Sequence, residues 1–236
     1  MKKMLLSAVM LAFAAFGYAQ EGTGAAAATE RNEWLPTFEA VAVDADLDIK
    51  FARVPDTQAP KIVYDTKGSY TSKFRAEVRD KVLRISEKAD SRRPGRTQVT
   101  VYYNTLHSVA LSGATAVFEG TLDATLLDLT VGRKASLTAR LDIQDLKMEL
   151  TGNSDATLSG KVRYLSLYAS TGKVAASELE VMSAEVNAQS KADVSLWITD
   201  RFVGKTTTNA RITYKGNPAV VRGGAKFMGG EISRVE

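Results

Sequence analysis

The sequence predicts an all-β chain, in which a region of short strands runs on into a β-helix, a solenoid with levels of about nineteen residues. Two observations carry that expectation. Apolar residues recur at i and i+2 among Val, Thr and Ser, the period of a half-buried strand and not of an amphipathic helix. In addition, Leu127, Leu146, Leu165, Ala184 and Val203 stand nineteen residues apart, and Leu129, Met148, Leu167, Val186 and Lys205 repeat the spacing two positions later.

Taken in order, residues 1–19 have a basic start (Lys2, Lys3), an apolar run from Met4 to Phe16 and a small-residue end at Gly17-Tyr18-Ala19. That is the pattern of a secretory signal peptide, with cleavage expected between Ala19 and Gln20. The apolar run is shorter than the roughly 20 residues a membrane helix needs, and nothing later is apolar enough to span. Residues 20–33 are rich in Gly, Ala and Thr and read as a flexible leader.

Residues 34–105 form the N-terminal β region. Strands are expected over Phe38–Phe51, Lys61–Tyr64, Phe74–Val78, Val82–Ile85 and Val99–Tyr103, with a tight hairpin at Asp80-Lys81. Residues 106–236 form the repeat region, continuous with the first as one unit. A second apolar series, Leu122, Leu141, Val162, Leu179 and Ile198, runs beside the nineteen-residue ladder. Small-residue corners recur at Ser112-Gly113-Ala114, Gly132, Thr151-Gly152, Thr171-Gly172, Ser190 and Gly223-Gly224-Ala225, where a chain turning once per level needs positive φ and close stacking. Such a stack exposes strand edges at its ends, to be capped by the N-terminal region at one end and by the last strand or a second copy at the other.

Several of these segments, in this order, resemble a bacterial family, the putative auto-transporter adhesin, head GIN domain. They are Phe38-Glu39-Ala40-Val41-Ala42-Val43, Tyr103-Asn104-Thr105-Leu106, Leu111-Ser112-Gly113-Ala114, and Ile212-Thr213-Tyr214-Lys215-Gly216-Asn217-Pro218 followed by Gly223-Gly224. The resemblance covers roughly residues 35 to 234. It implies an exported β-helix-like protein of the cell envelope. The corners at Val131-Gly132-Arg133 and Gln189-Ser190-Lys191 depart from the family's Ser-Gly pattern, and a membrane barrel of the kind a self-transporting protein needs is not expected from this sequence.

Composition narrows the function classes. The chain has 31 basic and 27 acidic residues and a net charge of +4, which falls to +2 without Lys2 and Lys3, so nucleic acid is not an expected partner. The basic cluster Arg92-Arg93-Pro94-Gly95-Arg96 reads as an exposed loop. There is no cysteine, which excludes disulfides, a lipid-anchoring lipobox, thiol catalysis and cysteine metal sites.

No catalytic site, metal site or cofactor is expected. His107, the single histidine, reads as a surface residue. Gly152-Asn153-Ser154-Asp155-Ala156 starts like a nucleophile elbow but lacks its last glycine. Asp44-Ala45-Asp46-Leu47-Asp48 starts like a calcium loop, yet Ile49 and Pro55 stand where its glycine and glutamate belong. Asp123 and Asp142, nineteen apart, would stack on adjacent levels, and with Arg163 and Glu180 they make either a self-neutralising surface row or the acid pair of a polysaccharide-cleaving enzyme. Trp197 and Phe202 serve either as a sugar or protein contact or as core filling. The expected function is a non-catalytic, adhesin-like module at the periplasm or outer cell surface that binds a glycan or an envelope or host protein, with homo-oligomerisation open. The alternatives are a structural envelope protein without a soluble ligand and a carbohydrate-active enzyme.

Overall fold

The computed structural model describes residues 30–67, 73–88 and 95–235, so the signal-peptide reading and most of the leader lie outside the described residues. Fourteen strands are present among them: β1 (Glu30–Trp34), β2 (Ala40–Asp44), β3 (Leu47–Arg53), β4 (Lys61–Asp65), β5 (Phe74–Arg79), β6 (Val82–Glu87), β7 (Thr97–Tyr103), β8 (Ser108–Ser112), β9 (Thr115–Gly132), β10 (Ser136–Gln189), β11 (Asp193–Thr207), β12 (Arg211–Lys215), β13 (Val220–Phe227) and β14 (Glu231–Arg234). All join one sheet. β1 takes in Glu30 to Glu33, which the sequence placed in the leader; backbone pairing with β4, not side-chain burial, holds it, since all five of its residues are exposed.

Buried residues alternate with exposed ones along β3, β7 and much of β9 to β11, and the buried ones stack. Val99 faces Ile49, Ile49 faces Ala116 and Ala116 faces Leu137; further on, Val174 faces Val194, Val194 faces Ile212 and Ile212 faces Ile232. A second column runs Ile85, Val43, Leu111, Val131, Leu150. Neighbouring levels stand about 4.8 Å apart at the parallel-strand spacing, so each buried residue rests on its counterparts above and below and water is excluded along the whole column.

The expected ladder holds in its first steps and slips later. Leu127 faces Leu146 and Leu122 faces Leu141, both nineteen residues apart. At the far end, however, Ala184 faces Phe202 instead of Val203, and Ile198 faces Val181 instead of Leu179. The cause is local: the β10–β11 register shifts between Ala176 and Glu180 and again between Val181 and Ser183, where the two strands carry unequal numbers of unpaired residues. A bulge changes the count while keeping the apolar side buried, so strict numerical spacing fails where the physical column continues.

Corners follow their own rule. Pairs of successive residues with positive φ occur at Arg133-Lys134, Gly152-Asn153, Thr171-Gly172, Ser190-Lys191, Thr208-Asn209 and Met228-Gly229. The two corners that looked degraded in sequence are therefore intact in geometry. Each is closed by a turn hydrogen bond, Ala135 N–H to Gly132 O (3.1 Å) and Ala192 N–H to Gln189 O (3.0 Å). Corners also bond to one another, Lys134 N–H donating to Gly152 O (2.9 Å) and Lys191 N–H to Thr208 O (3.0 Å). These level-to-level bonds hold non-glycine residues in a conformation that costs them roughly 1–2 kcal/mol each. At Gly152 the approach is closer still, because a Cβ there would lie 2.7 Å from the Arg133 nitrogen.

The N-terminal region belongs to the same stack. The run Phe38–Phe51, expected as one strand, bends at Ala45-Asp46 into β2 and β3. β2 inserts between β6 and β8, and β3 between β7 and β9, all parallel. Antiparallel β4 and β1 extend the sheet beyond β7, and β5 extends it beyond β6. The Asp80-Lys81 hairpin is as expected, with both residues at positive φ and Arg79 facing Val82. Aromatic rings fill the core here: Phe51 stacks on Phe118 at 4.6 Å, and Tyr103 meets both edge-on at 6.5 and 6.1 Å.

Candidate functional site

Most of the candidate side chains sit on the outward positions of these strands, and the register decides which of them meet. Asp123 and Asp142 do face each other across β9 and β10. They are not an equivalent pair, because Arg53 reaches from β3 to form an ion pair with Asp123. Asp142 instead borders a shallow depression of about 480 Å³ together with Lys161, Arg163, Glu180, Met182 and Thr199. Three of the four members of the expected acid-base row thus share one surface, and the fourth is held from outside it.

A second depression of about 550 Å³ adjoins the first and shares Asp142, Lys161 and Glu180 with it. Its other walls are Arg140, Glu178 and Trp197. Glu180 faces Trp197 across β10 and β11, and Trp197 faces Lys215 across β11 and β12. The Lys215 ammonium lies 4.9 Å from the centre of the indole ring and 3.3 Å from Glu178, while Lys161 lies 3.9 Å from Glu180. The result is a continuous outer strip of alternating charges around a half-buried aromatic ring. Sequence analysis missed Arg140, Lys161, Glu178 and Lys215, although Lys161 stands nineteen residues from both Asp142 and Glu180, and Glu178 nineteen from Trp197.

The Trp197–Phe202 pair divides between its two readings. Phe202 is buried and packs on Tyr214 at 4.8 Å, so it is core. Trp197 is half-buried and faces the strip.

The remaining candidates are accounted for structurally. His107 is exposed, and its backbone N–H donates to Glu39 O (2.8 Å). Lys81 hydrogen-bonds the same Glu39 through its side chain at 2.8 Å, and that contact holds the carboxyl below the usual carboxylate range. Ser154 is fully buried and donates its hydroxyl to Thr151 O (2.6 Å), which removes it from any nucleophile role. In the aspartate run, Arg96 contacts Asp46 at 2.9 Å and Asp48 at 2.6 Å and donates to Leu47 O and Thr115 Oγ1; Asp44 meets Arg133 at 3.1 Å. Arg96 is therefore a clamp between β3, β9 and the loop before β7 and not part of a free basic loop, while Arg92, Arg93 and Pro94 lie outside the described residues. Among the described residues no group of three or more His, Asp or Glu side chains is placed to hold a metal, and no helix is long and apolar enough to cross a membrane.

Solved structures share this architecture. A putative adhesin from Bacteroides fragilis superposes with a TM-score of 0.77 at 19% identity, covering 87% of this chain and 96% of that one. A putative adhesin from Parabacteroides merdae gives 0.64 at 19%, covering 88% and 95%, and a putative lipid binding protein from Parabacteroides distasonis gives 0.62 at 15%, covering 88% and 96%. At these identities the likeness shows the fold. No curated protein matches the chain in sequence. A family model does match residues 37–218, most of the strands just described, and on that match the chain belongs to the putative auto-transporter adhesin, head GIN domain family.

Proposed function

We propose that this chain is a non-catalytic, exported module of the cell envelope, wound as a β-solenoid, that binds a glycan along the outer strip centred on Trp197. The observation that carries this reading is the half-buried indole set among Asp142, Lys161 and Glu178 in one depression. An aromatic face takes the C–H side of a sugar, and flanking charged groups take its hydroxyls. The winding is supported by the parallel registers, in which Arg211 follows Asp193 and Glu231 follows Arg211 on successive levels. Export is supported by the basic-apolar-small pattern of residues 1–19 and by the adhesin names of the family and of two structural neighbours. A binding role without chemistry is supported by the fate of the acid pair, since Arg53 holds Asp123 in an ion pair.

The test is retention of polysaccharides by purified protein, with Trp197→Ala as the variant. Loss of one stacking ring at a sugar site weakens binding by about tenfold or more, the equivalent of about 1.4 kcal/mol. Equal retention by Trp197→Ala and the unaltered chain overturns the assignment of the strip, and release of reducing sugar by the unaltered chain overturns the non-catalytic reading.

A further inference from the structure

The chain has two tryptophans, and each stands on the outer side of the sheet beside a lysine. Trp197 belongs to the strip just described, and Trp34 lies apart from it. Trp34 ends β1, where it faces Lys61 of β4, and Lys61 in turn faces Tyr102 of β7. Ile62 and Val101, the strand neighbours of Lys61 and Tyr102, are fully buried, so Lys61 and Tyr102 project outward. The Lys61 ammonium lies 4.6 Å from the centre of the Tyr102 ring and 5.8 Å from that of Trp34, which places all three side chains on one surface.

Two features of this trio point to a ligand. Trp34 is 66% exposed on a strand held by backbone pairing, so its indole adds little to the core and leaves most of its surface for a contact. Lys61, moreover, has no carboxylate partner among the described residues, unlike Lys215 beside Trp197, which lies 3.3 Å from Glu178. One indole is thus set among balanced charges and the other beside an uncompensated cation. Two residues along β7 from Tyr102, Thr100 lines a depression of about 290 Å³ with Gln98 and Lys50, which adds hydroxyl, amide and ammonium groups. Asp48, the one carboxylate lining that depression, is held by Arg96 at 2.6 Å.

We propose that Trp34, Lys61 and Tyr102 form a second saccharide subsite, one that takes an acidic sugar of a polysaccharide lying across the strands toward Trp197. For the class of ligand this rests on the glycan reading of the Trp197 strip. The rings take the C–H side of the sugar, and the Lys61 ammonium takes its carboxylate or sulfate in a charge-assisted hydrogen bond. The register joins the two places. Tyr102 faces Ala52, Ala52 faces Glu119, and two residues further on Thr121 lines the same depression as Trp197. The acidic groups along this track are already countered, Glu119 by Lys50 at 3.8 Å and Asp123 by Arg53, so they do not close it to an anion.

The experiment is titration of the purified protein with polygalacturonate and heparin, and with dextran as the neutral polymer, followed by tryptophan fluorescence. Trp197→Phe leaves Trp34 as the sole tryptophan, so emission then reports this platform alone. A shift with an acidic polysaccharide and none with dextran is expected. Adding Lys61→Gln should weaken the response by about tenfold or more, and Lys61→Arg in its place should retain it. Emission unchanged by both acidic polymers overturns the proposal, as does a response to dextran of the same size or one that Lys61→Gln leaves intact. Emission that shifts with vesicles of anionic phospholipid and with no polysaccharide overturns it in favour of a lipid surface. Polysaccharide retention lost in Trp197→Ala but not in Trp34→Ala upholds the strip and removes this platform, whereas the reverse pattern upholds the platform and removes the strip.

Discussion

The N-terminal levels and the later repeat are built on the same buried column but secured in different ways. Between β2 and β8 the chain makes an excursion through β3 to β7 before returning to pair, so its neighbours in space are distant in sequence: Ala40 faces Ser108, and Asp48 faces Thr115. Further along, neighbours in space are closer in sequence, Ser136 facing Thr115 and Asp193 facing Lys173, and the corners bond to one another. Large aromatic rings fill the core where β3 and β7 meet β9, whereas the later repeat rests mainly on Leu, Val and Ala columns and recurrent left-handed corners, with Phe202 on Tyr214 near its end. The difference teaches that a stack can be closed by volume where sequence order gives no help, and by regular corners where it does.

The most severe way to break the aromatic region is Phe51→Ala. Phe51 is fully buried, stacks on Phe118 and meets Tyr103 edge-on, and its removal opens a cavity between β3, β7 and β9. The expected loss is about 3–5 kcal/mol, read from chemical denaturation. Because β3 bridges the two regions, unfolding should remain a single transition. A separate early transition of the N-terminal strands would show that the excursion is an independent unit and not part of one stack.

A smaller effect follows from Tyr103, whose phenol is driven up to about 12 by burial. Below pH 10 both folded and unfolded chains keep this proton, so the buried ring costs nothing to keep neutral. Between about pH 10 and 12 the unfolded chain releases the proton while the folded chain retains it, and stability falls by on the order of 2 kcal/mol. Tyr103→Phe should flatten that alkaline limb, as followed by denaturation midpoints, and tyrosinate absorbance should show one phenol titrating late. Equal alkaline loss in the two proteins would place the cause elsewhere.

The sequence carried much of this architecture and little of the site. The all-β class, the Asp80-Lys81 hairpin and the Leu127–Leu146 step are visible because they depend on local alternation and on one regular spacing. The place of β2 and β3 within the stack was not legible, since it depends on pairing across the excursion. Lys161 and Glu180, and Glu178 and Trp197, stand nineteen residues apart, but outward charged positions carry no hydrophobic pattern that singles them out, and the Arg53–Asp123 contact joins side chains seventy positions apart with no pattern between them. Ser190-Lys191 read as a degraded corner because composition suggests where glycine is favoured, while the level-to-level hydrogen bond from Lys191 shows where another residue is held in its place.

The corners give the finest test of the comparison, because two substitutions there should act with opposite sign. Gly152→Ala adds a Cβ at positive φ and 2.7 Å from the Arg133 nitrogen, so it strains its own backbone and pushes on the level beneath, at a cost of about 1–2 kcal/mol. Lys191→Gly removes a Cβ from a residue held at φ 67 and keeps the N–H that bonds Thr208. Relief of the left-handed strain is partly offset by the greater freedom of glycine in the unfolded chain, leaving a gain below about 1 kcal/mol. Thermal denaturation of the two variants measures both signs against one reference. If Lys191→Gly destabilises, the lysine side chain contributes at that corner beyond its backbone. The degraded corners would then be held by side chains, and regular backbone hydrogen bonding would no longer be what separates the repeat from the N-terminal levels.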